Sequence, residues 1–172
     1  MDQKLTQSDK KAALKRLSLK DPVHFCALGF GSGLAPIMPG TFGSLAALPI
    51  VYSFLFLPLW GQIVIAAFVS IVGIWICDKA AWDMKVHDHS GIVWDEIAGM
   101  LITFIAVPIS LETLIIGFLL FRLFDIVKPW PISYLDKKVQ GGLGIMADDV
   151  VAGVFALISM QLLLAFQLIP TL

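Results

Sequence analysis

Asp95-Glu96 and Asp148-Asp149 are adjacent acid pairs, and each introduces an apolar run, Ile97–Ile109 after the first and Val150–Ile169 after the second. In each case a glycine follows an aspartate by four residues, Asp95 to Gly99 and Asp149 to Gly153. That spacing puts the glycine one helical turn deeper on the same face. Small residues let membrane helices approach closely, so the two acidic ends are expected to be neighbours. A carboxylate at membrane depth costs about 2.5–3.5 kcal/mol on insertion scales, and several together repel unless a cation lies between them. Hard carboxylate oxygens favour Mg²⁺. Asp125, at the end of the run Thr113–Phe124, is a further acid of the same kind. Asp95, Glu96, Asp125, Asp148 and Asp149 are therefore candidate metal ligands, with Asp95, Glu96, Asp125 and Asp149 the candidate catalytic groups. Asp is also a good N-cap, and acids suit a helix N-terminus. Either pair alone reads equally well as capping; both pairs together with Asp125 favour a metal site.

Beside the acids stand Arg122 and Lys128. A cation near Mg²⁺ is what a phosphate monoester dianion needs, because the metal alone leaves part of its charge uncompensated. Both are candidate substrate contacts, although Arg122 also has Asp125 three residues on as a helical partner, and Lys128 could merely reach to the interface. Gly29–Ser44 is rich in glycine and carries Ser32, Thr41 and Ser44. It lacks the spacing of a phosphate-binding P-loop or a dinucleotide fingerprint. Its freed backbone could still present N–H groups to a phosphate, and Thr41 and Ser44 are kept as candidate contacts. His87-Asp88-His89 is weak evidence for a transition metal and reads better as a polar loop beside the site, with His87 a candidate substrate contact.

The elements that must position these residues are apolar. The chain has 172 residues, 58% hydrophobic and only 15% charged, whereas a soluble domain is nearer half apolar and a quarter charged. Leu45–Trp60, Ile63–Cys77, Ile97–Ile109, Thr113–Phe124 and Val150–Ile169 are the candidate spans. All twelve Lys and Arg fall in three stretches, Met1–Lys20, Asp78–Glu96 and Arg122–Asp149. By the positive-inside rule, hairpins between these stretches put every basic residue on the cytosolic face and leave the outer turns almost uncharged. The expected fold is all-α, a polytopic membrane helical bundle of about four to five spanning helices. Residues 1–24 form a basic cytosolic arm, and 25–172 form the membrane domain. The basic arm has no apolar core, so no signal peptide is expected at the extreme N-terminus. The net charge of −1 offers no basic excess for nucleic acid. Cys26 and Cys77 form neither a disulfide framework nor a zinc set.

Four blocks in order, GFGSGLAPIMPGTFGS (Gly29–Ser44), VHDHSGIVWDEIAGM (Val86–Met100), FRLFDIVKPWPI (Phe121–Ile132) and GGLGIMADDVVAGV (Gly141–Val154), resemble the phosphatidylglycerophosphatase A family. The resemblance implies a Mg²⁺-dependent enzyme of the bacterial inner membrane with its active site facing the cytosol. Its substrate would be a membrane phospholipid, phosphatidylglycerophosphate, cleaved to phosphatidylglycerol and inorganic phosphate. The family's acidic and basic positions map onto Asp95, Glu96, Asp125, Lys128, Asp148 and Asp149.

The residues themselves exclude several alternatives. Six positions after Cys26 is Ser32, and six after Cys77 is Asp83, so there is no Cys-x5-Arg loop. No Asp-x-Asp pair supports a phospho-aspartyl route, and direct attack by metal-activated water is expected instead. No Asp-Gly occurs, which sets aside a CDP-alcohol phosphotransferase. The rival reading is a small ion or solute transporter with an acidic coupling site, disfavoured because the acids cluster at one face.

Overall fold

The structure, a computed structural model, describes residues 7–86 and 89–169. Those residues form eight α-helices and two short 3₁₀ turns, with no strand among them. The helices are α1 (Gln7–Leu14), α2 (Pro22–Ala27), α3 (Pro39–Tyr52), α4 (Leu59–Met84), α5 (Trp94–Thr103), α6 (Leu111–Val127), α7 (Ile132–Lys138) and α8 (Gly141–Ala165). Among the described residues, three helical segments are long and apolar enough to cross a membrane: Pro39–Phe56, α4 and α8. Along α4, Val64, Phe68, Ile71 and Trp75 recur at helical spacing and are all exposed, while Gly73, Ile76, Cys77 and Ala80 on the opposite face are buried. An apolar outer face on a helix of this length is a lipid-facing surface.

The ends of the helices differ from the hydropathy reading in three places, each for a local reason. The first hairpin turns at Leu57-Pro58 instead of Gly61-Gln62, because Pro58 sits in extended backbone immediately before α4. The last helix starts at Gly141, about two turns before Asp148. Its first turn is held by another element, since Gly142 N donates to Asp78 Oδ1 of α4 at 2.9 Å. And α5 stops at Thr103, short of Ile109: the chain turns through Phe104–Ala106, with Ala106 at φ 56°, ahead of Pro108.

With ten residues, α5 is only about 15 Å long. It lies against α3, α4, α6 and α8, and Ile97 through Thr103 are all buried. Where it stops, two glutamines from neighbouring helices serve its freed backbone. Ala106 N donates to Gln62 Oε1 at 2.9 Å, and Gln161 Nε2 donates to Ala106 O at 3.1 Å. Broken helical backbone is tolerated at membrane depth only when protein satisfies it in this way. α6 then begins with a capping box, Ser110 Oγ accepting from Thr113 N and Ser110 N donating to Thr113 Oγ1 at 2.8 Å.

Two glycines set the distance between α5 and α8. A Cβ on Gly153 would lie 2.6 Å from Gly99 O, and a Cβ on Gly99 would lie 2.3 Å from the Phe121 ring and 2.8 Å from Asp149 O. Backbone meets backbone here, so a side chain can enter only if the helices separate. Gly153→Ala should cost about 1–3 kcal/mol, the scale of core overpacking. A melting temperature of the variant in detergent equal to that of the parent chain would refute this reading of the contact.

At the charged end, the basic arm is tied to α4. Arg16 Nη1 donates to Met84 O at 2.8 Å, and His24 Nε2 lies 2.8 Å from Asp83 Oδ2, a carboxylate that Lys79 also contacts.

Candidate active site

α5, α6, α7 and α8 bring their acids to one cavity of about 350 Å³, lined by Asp95, Glu96, Asp125, Lys128, Asp136, Asp148 and Asp149 together with Ser90, Ile92, Val139, Gly144 and Ile145. Asp95 and Glu96 occupy the first turn of α5. Asp125 lies in the last turn of α6, and Asp148 and Asp149 fall in the third turn of α8. That last placement removes capping as an explanation for Asp148 and Asp149, because no orphan N–H remains so far into a helix.

Carboxylate oxygens of Asp95, Glu96 and Asp149 lie within 4.8 Å of one another. Asp149 is 3% exposed. No protein donor reaches the buried oxygens Glu96 Oε2, Asp148 Oδ1 and Asp149 Oδ2. An unsatisfied buried acceptor costs about 1–3 kcal/mol, more when charged, and here three carboxylates carry one each. Converging hard oxygens of like charge, unserved by any donor of the protein, fit a divalent cation. Asp95, Glu96 and Asp149 could hold it, with Asp148 alongside.

The two cations do different work. Arg122 Nη1 donates to Asp125 Oδ2 at 2.5 Å and lies 3.9 Å from Glu96 Oε1. It is partly buried beside the carboxylates and is not among the residues that line the cavity. Lys128 does line it. This residue ends α6 in left-handed backbone, φ 45°, which turns its side chain back along the cavity wall. Its Nζ donates to Asp148 Oδ2 at 2.6 Å and to Asp136 Oδ1 at 2.5 Å. Burial works against the ammonium charge, but the hydrogen bonds to Asp136 and Asp148 outweigh it and hold the group protonated above its ordinary range.

A sequence profile described as phosphatidylglycerophosphatase A matches residues 25–164. The chain belongs to the phosphatidylglycerophosphatase A family. A relative from Escherichia coli, named phosphatidylglycerophosphatase A, is 49% identical over 86% of this chain and 86% of its own length. Another of the same name, from Haemophilus influenzae, is 45% identical over 84% of this chain and 90% of its own. A third, from Bacteroides thetaiotaomicron, is 39% identical over 76% and 86% and carries a provisional name as a phosphatidylinositol-3-phosphatase. No solved structure matches.

The family-matching residues from the sequence are not all equally placed. Asp95, Glu96, Asp125, Lys128, Asp148 and Asp149 converge. Ser44 does not join them: it is fully buried, and its Oγ donates to Gly40 O within α3 at 2.9 Å. Thr41, also on α3, presents a buried hydroxyl and is not part of the cavity lining. The second half of the glycine-rich block is thus a helix start, and its contact with the site is made by backbone. A Cβ on Gly40 would lie 2.2 Å from Glu96 Oε1 and 3.2 Å from Arg122 Nη1. His87 lies outside the described residues. Asp136 and Gly40 were not singled out in the sequence. The available signal for Asp136 was its place in the charged stretch shared by Arg122, Lys128, Asp148 and Asp149, eight residues after Lys128.

Proposed function

We propose that this chain is a Mg²⁺-dependent phosphatase of the bacterial inner membrane that hydrolyses the terminal phosphomonoester of phosphatidylglycerophosphate, giving phosphatidylglycerol and inorganic phosphate. The observation that carries the reading is the pairing of the Asp95–Glu96–Asp149 cluster with Lys128 in one cavity. The names of the two relatives supply the substrate. The segregation of Lys and Arg supports a cavity facing the cytosol, where a headgroup can enter while its acyl chains stay in the leaflet.

Asp95, Glu96 and Asp149 would hold the cation. When bound, it supplies positive charge to phosphoryl oxygens and acidifies a water molecule at neutral pH. Lys128, which donates to Asp136 and Asp148, is the cation placed to donate to a phosphoryl oxygen, where it offsets charge that grows as the bond to the leaving oxygen breaks. Asp125, fixed by Arg122, is the carboxylate placed to accept a proton from the attacking water. Arg122 contacts both Asp125 and Glu96 and so fixes the positions of the two carboxylates.

Purified full-length chain in detergent should release phosphate from phosphatidylglycerophosphate. EDTA should abolish release, and Mg²⁺ in excess of the chelator should restore it. Release that continues unchanged in EDTA, or none at all with Mg²⁺ present, would overturn the proposal.

A further inference from the structure

Lys128 is held by two carboxylates of unlike character. Asp148 belongs to the interior of α8, its side chain 10% exposed and flanked by buried Met146, Asp149 and Ala152. Asp136 sits on the seven-residue α7 with its side chain 35% exposed. The apolar side of α7 is pinned by Ile132, which is fully buried, so the helix has a fixed seat while the Asp136 carboxylate borders water. Turning the Asp136 side chain outward leaves its charge solvated; Asp148 has no such alternative.

A phosphomonoester dianion that reaches Lys128 comes up against the Asp136 charge. Like charges at hydrogen-bond range repel, and of the two carboxylates only Asp136 has somewhere to go. We infer that Asp136 is a positioning residue which holds Lys128 between turnovers, gives it up to the substrate phosphoryl group, and takes it back from the product phosphate. No covalent bond changes in this exchange: Lys128 trades one hydrogen-bond acceptor for another, and Asp136 trades Lys128 for water. Its effect is to weaken binding of every phosphate ligand and to hasten loss of inorganic phosphate after hydrolysis. The inference rests on the reading that Lys128 meets the phosphomonoester.

The test compares Asp136→Asn and Asp136→Glu in the full-length chain with Mg²⁺ present. Asp136→Asn keeps the shape but competes poorly for the ammonium. The inhibition constant for inorganic phosphate should fall about tenfold, the scale of one charged hydrogen bond. KM should fall with it, and kcat should not rise. Asp136→Glu should move all three back toward the parent values. An inhibition constant that is unchanged or raised in Asp136→Asn, with or without a lowered melting temperature, overturns the inference, because a merely structural carboxylate predicts loss of stability alone. Calorimetric titration with inorganic phosphate measures the same affinity without turnover. A chain that binds phosphate more tightly as Asp136→Asn yet hydrolyses no lipid would refute the proposed activity and leave this exchange standing.

Discussion

Asp149→Asn should lower turnover by about 10²–10³-fold, the scale of losing one pre-organised charged group at a reacting centre, with part of the loss recovered at raised Mg²⁺. Asparagine has nearly the volume of aspartate, so the close approach of α5 and α8 beside it is not disturbed. What changes is charge. Asp149 is nearly inaccessible, and its Oδ2 meets no protein donor; its carboxylate oxygen shares a 4.8 Å space with those of Asp95 and Glu96. The stability readout has the opposite sign. In EDTA the variant should melt no lower than the parent chain, since one of several mutually repelling carboxylates is gone. Added Mg²⁺ should raise the melting temperature of the parent chain more than that of the variant, because a ligand that binds only the folded state stabilises according to its affinity. Turnover within a few-fold of the parent for both Asp149→Asn and Asp95→Asn would remove the metal reading.

Lys128→Ala should reduce kcat/KM by about 10²–10³-fold, corresponding to roughly 2.7–4 kcal/mol for one stabilising group. Lys128→Arg should recover part of it, keeping the charge while changing reach and geometry. A lysine that only anchors the end of α6 predicts near-normal kcat/KM with a lowered melting temperature. The backbone offers a sharper separation. Lys128 stands in left-handed conformation, which costs a non-glycine residue about 1–2 kcal/mol. Lys128→Gly removes the same ammonium and relieves that strain. Equal loss of kcat/KM in the alanine and glycine variants, with the glycine variant melting higher, assigns the activity to the charge. Near-normal kcat/KM in Lys128→Ala takes Lys128 out of the site.

The glycine four residues after each aspartate was the most informative pattern in the sequence. Gly99 and Gly153 are in backbone contact, and Asp95 and Asp149 stand one turn above that contact, as the spacing implied. The gathering of basic and acidic residues at one end was legible for a similar reason, since charge is expensive in hydrocarbon and segregates. Helix boundaries were less legible. Hydropathy marks where the apolar run begins, and in α8 the helix begins earlier, among glycines, one of which, Gly142, has its N–H served by Asp78, 64 residues away in the chain. The end of α5 escaped notice because the glutamines that serve its backbone come from α4 and α8. Asp136 was not legible because nothing local distinguishes it from a solvated acid; it reaches the cavity through the packing of α7 against α8.

The enclosure of α5 bears on how the chain is made. A helix of about 15 Å, surrounded by α3, α4, α6 and α8, has no lipid-facing surface of its own and too little length to be inserted as an independent span. Its acidic first turn and its broken far end both depend on α8, which supplies Asp149 to one and Gln161 to the other. As α8 follows α5 in the chain and leaves the ribosome after it, the nascent chain must carry Asp95 and Glu96 into the bilayer region without the helix that completes their surroundings. Closure of the acidic cavity therefore waits on the docking of α8, which brings Asp148 and Asp149 to the wall opposite Asp95 and Glu96.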